Sequence, residues 1–296
     1  FMALLWDAVA TRNTRLLEQG IRSLPDKLDG ATWLNYVRCH DDIGLGFDDA
    51  DIIRAGYEPR SHRRFLVEWY TGEFEGSPAR GRPFGQDLET GDARIAGSLA
   101  SLAGLESALE LGDEEGIQRC IDRILLLHGM IMSFGGIPLL YYGDEIGLLN
   151  DYSYTEEEDK AGDSRWIHRA PIDWEKAARR NQQGTVEQRI FAGLSRMIAV
   201  RKSTPAFADY NNRELIGTGN PHLFAFMRSN PFEVSDNVLV VGNFDDAPQS
   251  LSLSDIGNRG QFRFGRLRDL YSGQSPLMFK DQLVIPPFGF YWLTDR

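Results

Sequence analysis

The segment TWLNYVRCHDD, residues 32–42, joins a short run of β-forming residues to a polar end. The run TWLNYVR predicts a buried strand from Thr32 to Arg38. The polar cluster HDD (40–42) follows this strand directly. The segment therefore predicts a strand whose carboxyl end carries an imidazole and two carboxylates.

A second segment further along the chain repeats this pattern. IPLLYYGDE (137–145) is another apolar run that ends on acidic residues, and a helical pattern over about 114–133 precedes it. Apolar spacing predicts further helices over about 1–24 and 185–202. Alternating helices and strands are typical of a parallel α/β sheet, in which functional residues collect at the carboxyl ends of the strands.

The region from about 43 to 116 has no sustained hydrophobic period. Its centre, EGSPARGRPFGQDLETGDARIAGS, is dense in Gly, Arg and Asp. This composition predicts a long excursion with little regular core. We expect it to be functional, because long ordered loops without a role are uncommon.

The pattern changes after Pro205 to short apolar runs separated by turn residues. Examples are HLFAFMR, NVLVVGNF, QSLSLS, DQLVI and FGFYWLT. Closely spaced runs of this kind predict an appended antiparallel β-sandwich. We therefore expect two domains, an α/β part over 1–204 and a β-sandwich over 205–296.

Composition argues against several kinds of partner. The 296 residues carry a formal charge of −11, so no broad positive surface is expected for nucleic acid or anionic lipid. No apolar run approaches the roughly 20 residues of a membrane span. The two cysteines are too few for a disulfide framework, and the N-terminal residues do not resemble a signal peptide, so we expect a cytoplasmic protein. Secretion stays open, since the native N-terminus is expected to lie outside this chain.

The cluster HDD has three interpretations that residue pattern alone does not separate. The three interpretations are an acidic turn, a metal site and part of a carbohydrate-binding site. A catalytic metal site is disfavoured, because no HExxH motif or second His pair accompanies the cluster, and no cofactor is expected. In a carbohydrate site, the carboxylate would bind sugar hydroxyls and balance the charge of an oxocarbenium-like transition state.

Several motifs occur in a fixed order along essentially the whole chain: YVRCHDDIG, FEGSPARG, TGDARIAGSLASL, GGIPLLYYGDEIG and DSRWIHR. Together they resemble amylosucrases of glycoside hydrolase family 13. The resemblance implies that residues 1–204 are the C-terminal part of a (β/α)8 TIM barrel with a long loop insertion at about 43–116. It also implies a retaining α-glucosyltransferase that cleaves sucrose, transfers glucose to an α-glucan acceptor and releases fructose.

The resemblance assigns roles to residues of the glucosyl pocket. Asp41 corresponds to the carboxylate that stabilises the transition state, and His40 corresponds to its hydrogen-bonding neighbour. Asp42 and Arg94 correspond to residues that line the adjoining subsite, where fructose leaves or an acceptor arrives.

Other positions receive roles at the edge of this pocket. Arg165 corresponds to an arginine that closes the bottom of the pocket with an aspartate from an upstream loop; its alternative role is a surface ion pair. Arg63 and Phe65 fall where an acceptor-side loop is expected. Asp144 and Glu145 are expected to support the barrel end, and we leave them out of the site.

The nucleophile and the general acid of this family precede the position matched by Phe1. We therefore expect an N-terminal portion of the same enzyme to supply both groups. Leu45 and Pro78 stand where the family often has an aromatic residue, so transfer and hydrolysis stay open. The alternatives are a sucrose hydrolase and a non-catalytic carbohydrate-binding fragment.

Overall fold

The computed structural model describes residues 1–87, 89–208, 211–230, 233, 236–256 and 266–295. The helices are α1 (Met2–Thr11), α2 (Arg15–Arg22), α3 (Asp49–Arg54), α4 (Pro59–Thr71), α5 (Leu99–Leu102), α6 (Leu105–Leu111), α7 (Glu114–Phe134), α8 (Trp174–Ala178), α9 (Val186–Lys202) and α10 (Leu253–Ile256). The strands are β1 (Leu34–Tyr36), β2 (Arg82–Phe84), β3 (Arg94–Ala96), β4 (Ile137–Leu139), β5 (Arg213–Ile216), β6 (Leu223–Arg228), β7 (Val238–Asn243), β8 (Gln249–Ser252), β9 (Arg268–Asp269), β10 (Met278–Phe279), β11 (Gln282–Ile285) and β12 (Phe290–Thr294).

Strands β1 and β4 form a parallel pair. Leu34 lies opposite Ile137, and Tyr36 lies opposite Leu139. Both strands are confirmed, although each is shorter than its predicted run, and the prediction that β1 is buried is wrong except at Asn35. The side chains of Leu34 and Ile137 are 60% and 52% exposed, so the pair presents apolar surface to solvent.

The first helix was predicted as continuous, and this is wrong. The chain leaves helical geometry at Arg12, which has φ 52°. Thr14 then donates from its backbone N–H and its hydroxyl to the carbonyl of Pro221, at 2.7 and 3.1 Å. The break thus lets the chain contact a loop more than 200 residues away, which local spacing does not reveal.

The prediction of little regular core between residues 43 and 116 is also wrong. This region holds α3 to α6 and the antiparallel pair β2 and β3, and Leu66, Tyr70 and Leu99 are fully buried. Helices α3, α5 and α6 have seven residues or fewer and are too short for a sustained period, whereas α4 has 13 residues and was missed as well. Their end signals are nevertheless in the sequence, because Glu58 caps α4 and Gly72 ends it with φ 80°.

The chain after residue 205 forms antiparallel sheets, as predicted. One sheet has the order β5-β6-β7-β12-β9, and the other has the order β10-β11-β8. Leu239 and Val241 of β7 lie in a buried cluster with Leu251 and Leu283 of the smaller sheet. The alternation of side chains along β7 therefore turns one face of the larger sheet towards the smaller one.

The opposite face of the larger sheet packs against α7. Phe226 and Trp292 share a core with Met130 and Phe134 of this helix. Gly242 allows the close approach, because a Cβ atom there would lie 2.8 Å from the Leu126 side chain. The larger sheet is thus buried on both faces, which explains why every residue of β6 and β7 is buried.

The fold is a mixed helix and sheet structure with antiparallel sheets, and this part of the predicted class is confirmed. The (β/α)8 barrel, the β-sandwich and the division near residue 204 stay predictions. In the described part of the chain, none of the helices combines the length and apolar composition that crossing a bilayer requires.

We expect Phe226→Ala to lower the free energy of unfolding by about 3–5 kcal/mol, because the ring is fully buried and leaves a cavity. The matched control is Phe279→Ala, whose ring is 67% exposed and whose loss should cost less than about 0.5 kcal/mol. Urea unfolding measures both values. Equal losses would contradict the packing of α7 on the larger sheet.

Candidate functional site

A buried arginine fixes the chain between β1 and the polar cluster. Arg38 is 1% exposed, and its Nε donates to the carbonyl of Gly97 at 2.9 Å. Burial lowers the pKa of Arg38, and the nearby carboxylate of Asp144 opposes this shift. Burial also raises the pKa of Asp144 well above its usual value, against the effect of Arg38. The hydrogen bond from Arg38 to Gly97 therefore ties the end of β1 to the segment after β3, with Asp144 nearby.

Two side chains hold the backbone of His40. Arg169 Nε donates to the His40 carbonyl at 2.9 Å, and His168 Nε2 donates to the same oxygen at 3.1 Å. The other ring nitrogen of His168 accepts from Gly97 N–H at 3.2 Å. Burial, followed by the charge of Arg38, lowers the pKa of His168 to about 3, so this ring is neutral near pH 7.

Asp41 lies between an imidazole and two guanidinium groups. Its Oδ2 is 3.3 Å from His40 Nε2, and its Oδ1 is 3.7 Å from an Nη atom of both Arg165 and Arg169. The carboxylate is about half exposed. An accessible carboxylate is able to accept hydrogen bonds from a polyol.

Asp42 forms the second part of the cluster. Its carboxylate is only 6% exposed, and Oδ2 is 3.2 Å from Arg94 Nε. The guanidinium groups of Arg94 and Arg165 contact the ring of Phe84, at 4.7 and 4.5 Å from its centre. Phe84 thus holds both arginines beside the carboxylates through cation–π contacts.

Arg165 has a stronger partner than Asp41. Its Nε and Nη2 donate to the two carboxylate oxygens of Asp163 at 2.9 and 2.8 Å. The hydrogen bonds with Arg165 lower the pKa of Asp163 to about 2. These two hydrogen bonds orient Arg165 towards Asp41. Among the described residues, the pair of Arg165 and Asp163 is therefore connected to the cluster and is not an isolated surface ion pair.

Arg63 and Phe65 make their contacts elsewhere. Arg63 donates to the carbonyl groups of Leu45 and Phe47, at 3.1 and 2.7 Å, and to Asp49. It therefore holds the segment that follows the cluster. The Phe65 ring packs against Trp69 and Phe74 on the far side of α4 from these contacts.

Asp144 and Glu145 lie where a supporting role is expected. Asp144 is buried beside Arg38, and Glu145 accepts from Gly143 N–H at 2.8 Å. Both lie in the turn after β4. Their supporting role and the roles of the pocket residues stay predictions.

Sequence reasoning missed several residues of this arrangement: Phe84, Asp163, His168 and Arg169. Asp163 was visible as the residue two places before Arg165, in a sequence pattern that also caps a helical turn. His168 and Arg169 belong to the motif DSRWIHR but had no spacing that linked them to His40. Their contacts with His40 span 128 and 129 positions of the chain.

The cluster also contains a group of metal-ligand types. Among the described residues, Cys39, His40 and Asp41 place one ligand atom each within 4.8 Å of one another.

Comparisons with known proteins show which proteins this chain resembles. Residues 213–292 match the family model of the Maltogenic Amylase, C-terminal domain. Glucosylglycerate phosphorylase of Escherichia coli K12 is 28% identical over 249 residues, which cover 79% of this chain and 40% of that protein. Trehalose synthase/amylase TreS of Mycobacterium tuberculosis H37Rv is 26% identical over 198 residues, covering 58% of this chain and 31% of that protein.

Solved structures show the same fold. The complex of AmyP with maltose superposes with a TM-score of 0.55 at 16% identity, over 98% of this chain and 48% of AmyP. Sucrose 6F-phosphate phosphorylase from Thermoanaerobacter thermosaccharolyticum gives 0.54 at 16% identity, over 81% and 42%. The chain thus spans less than half the length of these relatives. Together the matches show that the chain resembles enzymes of the α-amylase family and that residues 213–292 resemble the C-terminal domain of maltogenic amylase.

The neutral His168 ring predicts a pH dependence of stability. Its folded pKa of about 3 lies below the ordinary value of 6.5, so the unfolded chain binds more protons between these values and acid favours unfolding. Its contribution is complete above about pH 6.5 and is lost as the pH falls. Relative to His168→Gln, the wild type should lose about 1.5 kcal/mol more between about pH 6.5 and 5.

Urea unfolding at a series of pH values measures this difference. Glutamine keeps one donor for the His40 carbonyl and one acceptor for Gly97 N–H, so it is a conservative replacement. Other titrating groups contribute equally to both proteins. The same pH dependence in both would show that His168 is not held neutral.

Proposed function

We propose that the chain forms part of a retaining α-glucosyltransferase of the amylosucrase type. This enzyme cleaves sucrose, transfers glucose to an α-glucan acceptor and releases fructose. The observation that carries the proposal is the position of Asp41, which is accessible, fixed by a clamped backbone and flanked by His40, Arg165 and Arg169.

Asp41 and the residues around it have different roles in this chemistry. Asp41 binds glucosyl hydroxyls and balances the positive charge that develops at the anomeric carbon. His40 supplies a hydrogen-bond donor beside it. The clamp by His168 and Arg169 limits the motion of the cluster, so little reorganisation is needed when the charge develops.

The adjoining pair of Asp42 and Arg94 supports an acceptor subsite. Arg94 is about half exposed, whereas Asp42 is almost fully covered. The carboxylate therefore orients the guanidinium, which is free to donate to hydroxyls of fructose or of an incoming glucan. Arg63 would act on the acceptor side by holding the segment around Leu45. Phe65, which is proposed for the same side, packs against Trp69 and Phe74.

The proposal includes an N-terminal portion of the same enzyme, which would supply the nucleophile and the general acid. A retaining glycosidase needs two such carboxyl groups about 5–5.5 Å apart. The exposed apolar side chains of Leu34 and Ile137 on the β1–β4 pair support this contribution, because side chains from other strands or helices of a barrel would cover them.

A second candidate is phosphorolysis, in which phosphate takes the place of the sugar acceptor. The arginines beside Asp41 favour it, since guanidinium groups bind phosphate in bidentate fashion. The similarity to glucosylglycerate phosphorylase also supports it. Arg165 is already paired with Asp163, however, and this pairing favours a role in sugar positioning.

Product analysis separates the candidates. The enzyme isolated from its source is incubated with sucrose, with and without inorganic phosphate. Glucan and fructose support the transferase, whereas equal glucose and fructose indicate a sucrose hydrolase. Glucose 1-phosphate that forms only with phosphate would favour the phosphorylase, and glucoside binding without turnover would favour a carbohydrate-binding fragment.

We expect Asp41→Asn in this enzyme to lower kcat/KM for sucrose by about 10²–10³, because the amide loses the charge that stabilises the transition state. Asp159→Asn is the control, since this exposed aspartate lies in a different loop. Initial rates of fructose release measure the effect. A near-normal rate for Asp41→Asn would remove this residue from the mechanism.

We expect Arg94→Ala to change the ratio of glucan to free glucose while sucrose consumption falls less than about tenfold, because the side chain lies on the acceptor side of Asp41. Chromatography of the products measures the ratio. Arg189→Ala, on the surface of α9 against Gln118, is the matched control. Equal loss of cleavage and transfer would indicate that Arg94 only supports the fold.

A further inference from the structure

The side chains of Cys39, His40 and Asp41 offer sulfur, nitrogen and oxygen ligands at one point of the surface. One ligand atom from each lies within 4.8 Å of the other two. A thiolate, an imidazole and a carboxylate together match the preferences of a borderline-soft divalent cation such as Zn²⁺. Harder cations such as Mg²⁺ and Ca²⁺ favour sets made of oxygen alone.

The spacing of the ligand atoms is close to that of a tetrahedral site. Bond lengths of about 2.0–2.3 Å give neighbouring ligand atoms about 3.4–3.6 Å apart around zinc. His40 Nε2 and Asp41 Oδ2 are 3.3 Å apart, so this edge is already formed. The sulfur of Cys39 accepts a hydrogen bond from Asp41 N at 3.5 Å and lies within 4.8 Å of the other two ligand atoms, so the third position requires the sulfur to move closer to them.

The backbone that carries these ligands is held in place. His168 and Arg169 both donate to the carbonyl of His40, the central residue of the three. A clamped backbone reduces the entropy lost when a metal orders its ligands.

The neighbouring cations leave one oxygen of Asp41 available. Arg165 and Arg169 approach Oδ1, whereas Oδ2 faces His40. The positive charge of Arg165 is balanced by its bidentate partner Asp163. Cys39 is partly buried and loses its proton to solvent when a metal binds.

We propose that Cys39, His40 and Asp41 form a binding site for Zn²⁺ or a similar divalent cation, with the fourth position open to water. Because Asp41 is shared, the cation and a glucosyl group exclude each other. The exclusion rests on the proposed function of Asp41, whereas the metal site itself does not. Free zinc would thus act as an inhibitor at this site.

Cobalt(II) is the probe, since a bond between thiolate and Co²⁺ gives a charge-transfer band in the near ultraviolet. Titration of the full 296-residue chain should give a saturable band that one equivalent of Zn²⁺ removes. Cys39→Ser should abolish the band, and His40→Gln and Asp41→Asn should each weaken Co²⁺ binding about tenfold or more. Cys120→Ser is the matched control, because this buried thiol lies on α7 and should leave the band unchanged.

The proposed metal site is contradicted by specific outcomes of the cobalt titration, provided that each variant is folded. Thermal unfolding without metal shows whether each variant is folded. A band that persists in folded Cys39→Ser, or that Cys120→Ser removes, would overturn the site. Absence of a saturable band in the folded wild type would overturn it as well.

Competition by sucrose tests the link with the proposed function separately, in the enzyme isolated from its source. Millimolar sucrose should weaken Co²⁺ binding and shift the titration to higher metal concentration. A normal cobalt band that sucrose does not affect would uphold the metal site and contradict the assignment of Asp41 to the glucosyl pocket.

Discussion

The packing of the buried face of α7 determines the positions of both the larger sheet and the β1–β4 pair. Met130 of this helix shares a core with Phe226 and Trp292 of the larger sheet, and Gly242 lets the helix approach that sheet closely. At its C-terminal end the chain turns through Gly136, where a Cβ atom would lie 2.4 Å from the carbonyl of Trp33. The helix therefore sets where β4 begins beside β1, and this pairing determines the position of the polar cluster.

Charge under the cluster has a different effect from apolar packing. Arg38 and Asp144 are both almost fully buried, and for each group the effect of burial on its pKa exceeds the opposing effect of the other. Arg38 donates to the carbonyl of Gly97, while His168 and Arg169 fix the backbone of His40. The half-exposed Asp41 is thus positioned by groups that are buried or partly buried.

Much of the regular structure follows from local patterns. The long period of 114–133 predicted α7 within one residue at its C-terminal end, and the short apolar runs after 205 predicted β6, β7, β11 and β12. Reasoning from periodicity failed for the short helices α3, α5 and α6, for the 13-residue helix α4, and where a distant loop ends a helix, as at Thr14. In the candidate site, the predicted residues His40 and Arg165 contact Asp41, and Arg94 contacts Asp42. The functional roles assigned to them stay predictions.

The sequence by itself determined the order of the elements and placed a polar cluster at the end of a short strand, because residue preferences and spacing act within a few positions of the chain. Only the tertiary structure decided which groups surround that cluster. His168 reaches the carbonyl of His40 across 128 positions, and Phe84 brings Arg94 and Arg165 to one place. Such contacts depend on how separate elements pack, and no local pattern contains that information.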